Sequence, residues 1–168
     1  MILTVDIGNT NITIGLFKDD KLWFKENLPT AKAQGFGVFL RGIAVLKSAV
    51  EAAVICSVVP KATTLIKKAA AGLGDIPIYV LGRDLAVPIK NRYGRPEQVG
   101  QDRLVCAWAA MRLYGAPVIA VDLGTAITFD AVSKNREYLG GVILPGLNLS
   151  LKALHQGTAL LPQARLGK

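Results

Sequence analysis

Residues 6–10 carry side chains that could bind phosphate groups. The stretch Asp6-Ile7-Gly8-Asn9-Thr10 follows apolar residues, so it is predicted to be the end of a buried strand entering a tight turn. Gly8 has no Cβ, which lets the backbone approach an anion closely, and backbone N–H groups and the Thr10 hydroxyl can donate to phosphate oxygens. The Asp6 carboxylate repels bare phosphate, but it can hold a hydrated Mg²⁺ ion that binds the phosphate. By itself the pattern is weak, because aspartate and glycine also open ordinary hairpins.

The same pattern occurs a second time. Val121-Asp122-Leu123-Gly124 matches Val5-Asp6-Ile7-Gly8 in its order of valine, aspartate, aliphatic residue and glycine, and it also follows an apolar run. Each copy continues into residues that alternate in polarity, which is typical of the first strand and turn of a β-hairpin. A duplicated half predicts two similar domains that face each other across a cleft, where two such turns could bind one nucleotide from both sides.

Hydrophobic periodicity and turn residues predict the elements that hold the first turn. After the first strand we predict a hairpin turn at 18–21, a return strand at 22–27, a helix over 31–50, a central strand over 52–59, a helix over 61–73 and a strand over 76–81. Three strands followed by helix, strand, helix and strand are typical of a ribonuclease-H-like domain. In that arrangement an antiparallel hairpin set lies beside parallel strands.

The second half begins as a copy of the first. We predict a loop-rich span over 82–96, a helix over 97–114, strands at 118–122, 127–132 and 137–144, and a helix over 147–155. A further strand, helix and strand would complete the copy, but they do not follow. The prediction is therefore a duplicated α/β fold with mixed sheets, a first domain at 1–115 and an incomplete second domain at 116–168.

Composition and charge limit the possible functions. No apolar run is long enough to span a bilayer, and no signal peptide is recognisable, so we expect a cytoplasmic protein with no membrane partner. The formal charge of +8, from 20 Lys and Arg against 12 Asp and Glu, is scattered along the chain. We therefore expect a basic surface and a small anionic substrate, and no nucleic acid. Cys56 and Cys106 lie in apolar surroundings and are expected to be buried reduced thiols.

A further group of reactive residues is Gly100-Gln101-Asp102-Arg103, near the predicted start of the long helix. Asp102 could accept a proton from an attacking hydroxyl, and Arg103 could bind a carboxylate through two hydrogen bonds. The same residues also suit a helix-start acid that interacts with the macrodipole, followed by a surface arginine. Both interpretations are open on these grounds. Thr158 is either a loop hydroxyl or a ligand contact, and His155 is expected to be a partly buried helix residue.

Several motifs of this sequence occur together, in this order, in one enzyme family. They are Asp6-Ile7-Gly8-Asn9-Thr10-Asn11, Ser57-Val58-Val59-Pro60, Gly100-Gln101-Asp102-Arg103, Asp122-Leu123-Gly124-Thr125-Ala126-Ile127-Thr128-Phe129-Asp130, Gly140-Gly141-Val142-Ile143-Leu144-Pro145-Gly146 and Thr158-Ala159-Leu160-Leu161-Pro162. In these motifs the sequence resembles the type III pantothenate kinases, and the resemblance extends over essentially all 168 residues.

The resemblance implies a fold and an activity. The family belongs to the superfamily of acetate and sugar kinases, heat-shock-70 and actin, so the duplicated ribonuclease-H-like domains would form an actin-like ATPase fold. Its members are cytoplasmic homodimers that phosphorylate pantothenate with ATP to 4'-phosphopantothenate, the first step of coenzyme A biosynthesis. They require Mg²⁺ and a monovalent cation, K⁺ or NH₄⁺.

The resemblance also implies roles for individual residues. The first ATP phosphate turn would consist of Asp6, Gly8, Asn9 and Thr10, with Asp6 binding Mg²⁺ through water. The second phosphate turn would consist of Gly124, Thr125 and Ala126. Asp102 would be the catalytic base and Asp122 the acidic residue at the monovalent cation. The pantothenate contacts would be Tyr93, Gly100, Arg103 and Thr158.

Family members continue beyond the position of Lys168 into an adenine-side motif. A second class of function is therefore kept open, namely a non-catalytic nucleotide-binding accessory or regulatory protein, or an inactive truncated kinase. An incomplete second domain would leave an open strand edge and a partly covered sheet face, and such surfaces recruit partners. The isolated chain is expected to be dimeric or larger, to bind ATP weakly and to show little or no kinase activity.

Overall fold

Residues 1–42 and 49–165 are described by the computed structural model of the chain. The backbone separates into two units, Met1–Val87 and Pro88–Lys168. This division differs from the boundary predicted after residue 115, because the helix Gln101–Tyr114 packs on the strands that follow it. The long helix and residues 88–96 before it therefore belong with the second sheet.

The first unit is built on a five-stranded mixed sheet. Its strands are β1 (Ile2–Ile7), β2 (Asn11–Lys18), β3 (Lys21–Pro29), β4 (Ala52–Ser57) and β5 (Ile78–Val80), in the spatial order β3-β2-β1-β4-β5. The first three strands are antiparallel, and β4 and β5 run parallel to β1. The helix α1 (Phe36–Gly42) precedes β4, and α2 (Pro60–Ala71) connects β4 to β5. This order and these directions confirm the predicted ribonuclease-H-like arrangement.

One face of the first sheet carries the main core. Alternate residues of β1 and β2 point to this face, and those fully or almost fully buried are Leu3, Val5, Ile7, Ile12, Ile14 and Leu16. The helix α2 covers them with Ala62, Ile66 and Ala70, which are spaced four residues apart and so share one side of the helix. Each buried Leu, Ile or Val side chain contributes about 1.5–3 kcal/mol to folding stability. Packing of the helices on the sheet therefore stabilises the end of β1, where the first turn begins.

The second unit has a four-stranded sheet. Its strands are β6 (Lys90–Asn91), β7 (Val118–Leu123), β8 (Ala126–Val132) and β9 (Glu137–Pro145), in the spatial order β6-β9-β8-β7. The strands β7, β8 and β9 form antiparallel pairs, and β6 runs parallel to β9. The helix α3 (Gln101–Tyr114) packs on β7 and β8, and α4 (Leu147–Gln156) follows β9. Across the ranges 1–42 and 49–165, no helix combines the length and the apolar character needed to cross a membrane.

The second sheet leaves one apolar face uncovered. The residues of β1 that face the first core are Leu3, Val5 and Ile7, which are at most 2% exposed. Their counterparts in β7 are Ile119, Val121 and Leu123, which are 64, 51 and 76% exposed. Val121 lies opposite Phe129 of β8, which lies opposite Val142 of β9, so one face carries all three side chains. We call this surface, formed by Ile119, Val121, Leu123, Phe129 and Val142, the open face.

Several predicted elements are wrong in their bounds. The helix predicted over 31–50 is a 3₁₀ helix at Thr30–Gly35 followed by α1, with residues 43–48 outside the described ranges. Gly35 and Gly42 lie at the ends of these pieces, consistent with the low helix propensity of glycine. The helix predicted from residue 97 starts at Gln101, because Val99 and Gly100 are extended. The loop predicted over 82–96 contains β6, and Cys106 is exposed, whereas Cys56 is buried as predicted.

Candidate active site

The first turn joins β1 to β2 and is held by hydrogen bonds from two directions. The Gly8 N–H donates to the Asn11 carbonyl at 2.9 Å. Thr30, directly after β3, donates from its hydroxyl to the Gly8 carbonyl at 2.7 Å and from its N–H to the Thr10 carbonyl at 2.9 Å. Asn9 and Thr10 are exposed at the tip. The turn is therefore an accessible, preorganised loop at the end of a buried strand.

The second turn joins β7 to β8 and is closed in a similar way. The Gly124 N–H donates to the Ala126 carbonyl at 2.9 Å, and the Gly146 N–H donates to the Thr125 carbonyl at 2.9 Å. A Cβ on Gly146 would collide with the Gly124 carbonyl and would lie 2.5 Å from the Thr125 carbonyl. Glycine at residue 146 thus lets the chain after β9 approach the second turn closely.

The two turns occupy equivalent places in the two sheets. Asp6 lies opposite Thr13 across the first hairpin, and Asp122 lies opposite Thr128 across the second. In both units the residue after the proline that ends the third strand donates its N–H to the turn, and these residues are Thr30 and Gly146. The second turn is one residue shorter, because its glycine bonds two residues ahead rather than three. The sequence repeat is therefore also a repeat of hydrogen bonding.

Replacing Thr30 by valine is expected to destabilise the chain by about 0.5–1.5 kcal/mol, because the Gly8 carbonyl loses the hydroxyl that donates to it. Urea unfolding measures the change in the free energy of unfolding. Thr30→Ser keeps the hydroxyl and serves as the control. If Thr30→Val were as stable as Thr30→Ser, the hydrogen bond would not support the turn.

The first turn of α3 places Asp102 beside a glycine. Gly100 is the N-cap residue with an extended backbone, and its carbonyl accepts the Leu104 N–H at 3.2 Å. A Cβ on Gly100 would collide with Asp102 Oδ1, so the carboxylate lies back over residue 100. Asp102 is partly exposed. The structure therefore gives Asp102 an accessible carboxylate at a helix N-terminus, which fits both the base and the helix-start interpretations.

Arg103 is held by a buried acid. Its Nη2 lies 2.6 Å from Oδ1 of Asp130 in β8, and it also donates to the Phe129 carbonyl at 3.3 Å. Asp130 is 1% exposed, and the same Oδ1 accepts the hydroxyl of Tyr138 in β9 at 2.7 Å. Burial and the hydrogen bond to Asp130 raise the pKa of Tyr138, so its hydroxyl remains a donor. The interpretation of Arg103 as a surface arginine is therefore wrong.

Two consecutive glycines in β9 make room for this group. A Cβ on Gly141 would collide with the Phe129 carbonyl and would lie 2.6 Å from Arg103 Nη2. Gly140 has a φ of +118°, and a Cβ there would lie 2.8 Å from the ring of Tyr93. The segment that carries Tyr93 is fixed beside β9 by the Arg92 N–H, which donates to the Tyr138 carbonyl at 2.8 Å. Tyr93 and Arg103 thus lie beside two consecutive residues of β9, Gly140 and Gly141.

Most of the predicted site residues fall into three groups, with Thr158 as a separate residue. Asp6, Gly8, Asn9 and Thr10 form the first turn in the first unit, whereas Gly124, Thr125 and Ala126 form the second turn in the second unit. Tyr93, Gly100, Asp102 and Arg103 lie around the start of α3 and the middle of β9. Thr158 follows α4, and its hydroxyl donates to the Leu154 carbonyl at 2.8 Å. His155 is in α4 as predicted, but it is exposed rather than partly buried, and its Nδ1 lies 2.9 Å from the Leu161 carbonyl.

Sequence reasoning did not assign roles to Thr30, Asp130 and Tyr138. A charged residue in the middle of an alternating strand is unfavourable unless it is paired. The position of Asp130 in the sequence therefore indicated that it needs an ion-pair or hydrogen-bond partner. Nothing local identified that partner, because Arg103 is 27 positions away on a helix. Thr30 follows a proline at the end of a strand, where it looked like an ordinary start of the next element.

Comparison with known proteins identifies the family. The family model described as type III pantothenate kinase matches residues 2–168. The chain belongs to the type III pantothenate kinase family. Among curated type III pantothenate kinases, that of Finegoldia magna is 41% identical over 99% of this chain, and that of Oleidesulfovibrio alaskensis is 43% identical over 98%. The chain spans 66% and 65% of the lengths of these two type III pantothenate kinases.

A solved structure supports the fold. The ethanolamine utilization protein EutJ from Carboxydothermus hydrogenoformans superposes with a TM-score of 0.52 at 15% sequence identity. The match covers 92% of this chain and 56% of that protein. EutJ has the actin-like ATPase fold, and the superposition supports the predicted fold class for this chain.

Proposed function

We propose that this chain supplies the pantothenate site and two phosphate turns of a kinase that transfers the γ-phosphoryl group of ATP to the hydroxyl of pantothenate. The observation that carries the proposal is the matched pair of turns. Each has an aspartate two residues before a glycine, and each accepts a hydrogen bond from the residue directly after the third antiparallel strand of its sheet. Such loops suit the phosphates of a nucleotide. Membership of the type III pantothenate kinase family supports pantothenate as the acceptor.

The residues of the second unit supply the groups needed at the acceptor. In the proposed reaction the pantothenate hydroxyl attacks the γ-phosphorus, its proton passes to the Asp102 carboxylate, and the bond from phosphorus to the bridging oxygen of ADP breaks. Arg103 binds the pantothenate carboxylate, and Tyr93, Gly100 and Thr158 complete the substrate contacts. In-line transfer requires positioning and charge stabilisation more than covalent chemistry, which suits a site made of rigid turns and a helix start.

Each of the two turns offers groups that suit the phosphate oxygens of ATP. The Gly8 and Gly124 N–H groups close their own turns, so in the proposed complex other groups at the exposed tips, including the Asn9 amide, donate to phosphate oxygens. Ala126 contributes by closing the second turn through its carbonyl. The glycines act by allowing close approach of the backbone.

The residues present fit the two cations that such a kinase uses. Mg²⁺ is commonly bound through one or two carboxylates together with substrate phosphates and water, so the single exposed carboxylate of Asp6 suits it. Within the described ranges no three Asp, Glu, His or Cys side chains form a dedicated metal cluster. Asp122, also exposed and two residues before the Gly124 turn, offers oxygen for K⁺ or NH₄⁺. When bound, Mg²⁺ would neutralise charge on the phosphates.

A homodimer completes the proposal. The open face is an extended apolar surface, and such surfaces commonly mark protein–protein contacts. Family resemblance supports a second copy of the chain as the partner.

Asp122→Ala is expected to abolish stimulation of the kinase by potassium, because the carboxylate that binds the cation is lost. The assay uses a fusion, defined as residues 1–165 joined to the C-terminal third of the Finegoldia magna relative, with turnover measured with and without K⁺. Asp75→Asn, which changes an acidic residue of the first unit outside both turns, serves as the control. An Asp122→Ala fusion still stimulated as strongly as its parent would remove this role.

The proposed function is tested by equilibrium dialysis of the intact chain against radiolabelled pantothenate. The proposal predicts saturable binding of one pantothenate per chain, reduced in Arg103→Met. An accessory nucleotide-binding protein would bind ATP but not pantothenate. Absence of pantothenate binding by the folded chain would contradict the proposal.

A further inference from the structure

The buried acid Asp130 has no place in the reaction proposed above. It is the one charged residue classed as buried in the described ranges, and burying a carboxylate is costly unless it is paired and hydrogen-bonded. Both of its contacts, with Arg103 Nη2 at 2.6 Å and with the Tyr138 hydroxyl at 2.7 Å, meet the same oxygen, Oδ1. The Gly140-Gly141 pair keeps the space beside this group clear.

These contacts fix the orientation of the Arg103 guanidinium. Nη2 has two hydrogens, and its two acceptors are Asp130 Oδ1 and the Phe129 carbonyl, at 2.6 and 3.3 Å. A guanidinium is planar and rigid, so two acceptors on one strand determine the direction of its other N–H groups. Among those, Nε is buried and has no hydrogen-bond partner among the described residues. A buried donor without an acceptor is unfavourable, so this edge of Arg103 suits an acceptor brought by a ligand.

We propose that Asp130 is the positioning residue for Arg103, fixing the guanidinium so that its remaining N–H groups meet the carboxylate of the substrate. Tyr138 holds Asp130 in turn, through the hydrogen bond from its hydroxyl. This inference rests on the proposed function, in which the ligand carboxylate is that of pantothenate. It makes Asp130 a determinant of preference for an acid over a neutral analogue.

The competing explanation is that the Asp130–Arg103 pair only ties α3 to β8. A structural tie would affect all ligands of the site alike, because its loss would move Asp102 and Tyr93 together. A positioning role affects only ligands with a carboxylate. Pantothenol separates the two, since it differs from pantothenate only in having CH₂OH in place of the carboxylate.

The test is calorimetric titration of the full chain with pantothenate and with pantothenol. Asp130→Asn keeps the volume of the side chain and removes its charge. We expect it to weaken pantothenate binding by about 3- to 10-fold, because a loosened guanidinium must be ordered when the ligand binds. Pantothenol binding should change less than twofold. Glu137→Gln is the matched control, since Glu137 is likewise a carboxylate in an ion pair, with Lys90 and Arg92 as its partners, and it should change neither affinity.

Tyr138→Phe provides a second test if Asp130→Asn does not fold. It keeps both charges and removes one donor to Asp130, so the selective loss of pantothenate affinity should be smaller but in the same direction. An equal loss for both ligands would overturn the positioning role, as would unchanged or tighter pantothenate binding in both variants. Failure of the parent chain to bind either ligand would instead overturn the proposed function, and this inference with it.

Discussion

Asp102→Asn is expected to reduce the turnover of pantothenate by about 10²- to 10⁴-fold, the usual contribution of a positioned general base. Asparagine has almost the same shape as aspartate, so the start of α3 and the packing over Gly100 should be retained. The amide cannot accept the proton of the attacking hydroxyl. The effect should therefore appear in kcat, with KM for pantothenate changed only slightly. Turnover is measured in the fusion through release of ADP.

Glu97→Gln is the matched control for this prediction. It neutralises an exposed acidic residue in the 3₁₀ turn just before α3 and should leave turnover unchanged. Full activity of the Asp102→Asn fusion would return Asp102 to the role of an acid that stabilises the helix N-terminus. A parallel loss in both variants would show that charge near α3 matters, and not the carboxylate of Asp102.

The polypeptide of residues 1–168, expressed by itself, is expected to form dimers or larger assemblies through the open face. Strands β1 and β7 have equivalent sequences, yet Val5 is 2% exposed and Val121 is 51% exposed. In the first unit α1 and α2 lie on this face, whereas α4 buries none of its residues in the second unit. Edge strand β7 also has no partner on its outer side among the described strands, so it can pair with another chain.

Burial gives this association its driving force. Apolar surface removed from water contributes about 25 cal/mol per Å², and the side chains of the open face are Ile, Val, Leu and Phe. Val121→Lys should therefore shift the chain toward monomer in sedimentation equilibrium, because a lysine would be placed in the contact. Val38→Lys, on an exposed position of α1, is the control and should leave the assembly unchanged. A parent chain that is monomeric at all concentrations would contradict the prediction.

The same uncovered surface explains why the chain alone is expected to bind ATP weakly and to turn over slowly. The second turn, which is proposed to bind phosphate, begins at the end of β7, so the support of Gly124 and Thr125 depends on how firmly that strand is packed. Its counterpart before Gly8 is buried on a complete core. The fusion should therefore exceed the isolated chain in turnover.

Local patterns predicted much of the fold. Apolar runs before the two turns identified both first strands, and the repeated aspartate and glycine placed both turns correctly. An apolar run cannot show what covers a strand, so the burial of Leu3 and the exposure of Ile119 were not distinguishable in sequence. The bounds of helices were also difficult to predict. The helix α3 starts at Gln101, directly after the extended Gly100, and not at residue 97.

The candidate site was less accessible to sequence reasoning than the fold. Arg103 could be described only as a surface residue or a carboxylate ligand, because its partner Asp130 is on a strand 27 positions later. Tyr138 reaches Asp130 across a hairpin whose register shifts between Ala131 and Val132. Such an irregularity changes which side chains meet, and no local signal located it. The turns, by contrast, depend on neighbouring residues and were predicted from them.

The central claim is tested most directly by following transfer of the phosphoryl group from ATP to pantothenate in the fusion, with the product identified by mass spectrometry. The account predicts 4'-phosphopantothenate that requires ATP, Mg²⁺ and K⁺, and that is almost absent in the Asp102→Asn fusion. A folded fusion that binds both ATP and pantothenate but forms no phosphorylated product would contradict it.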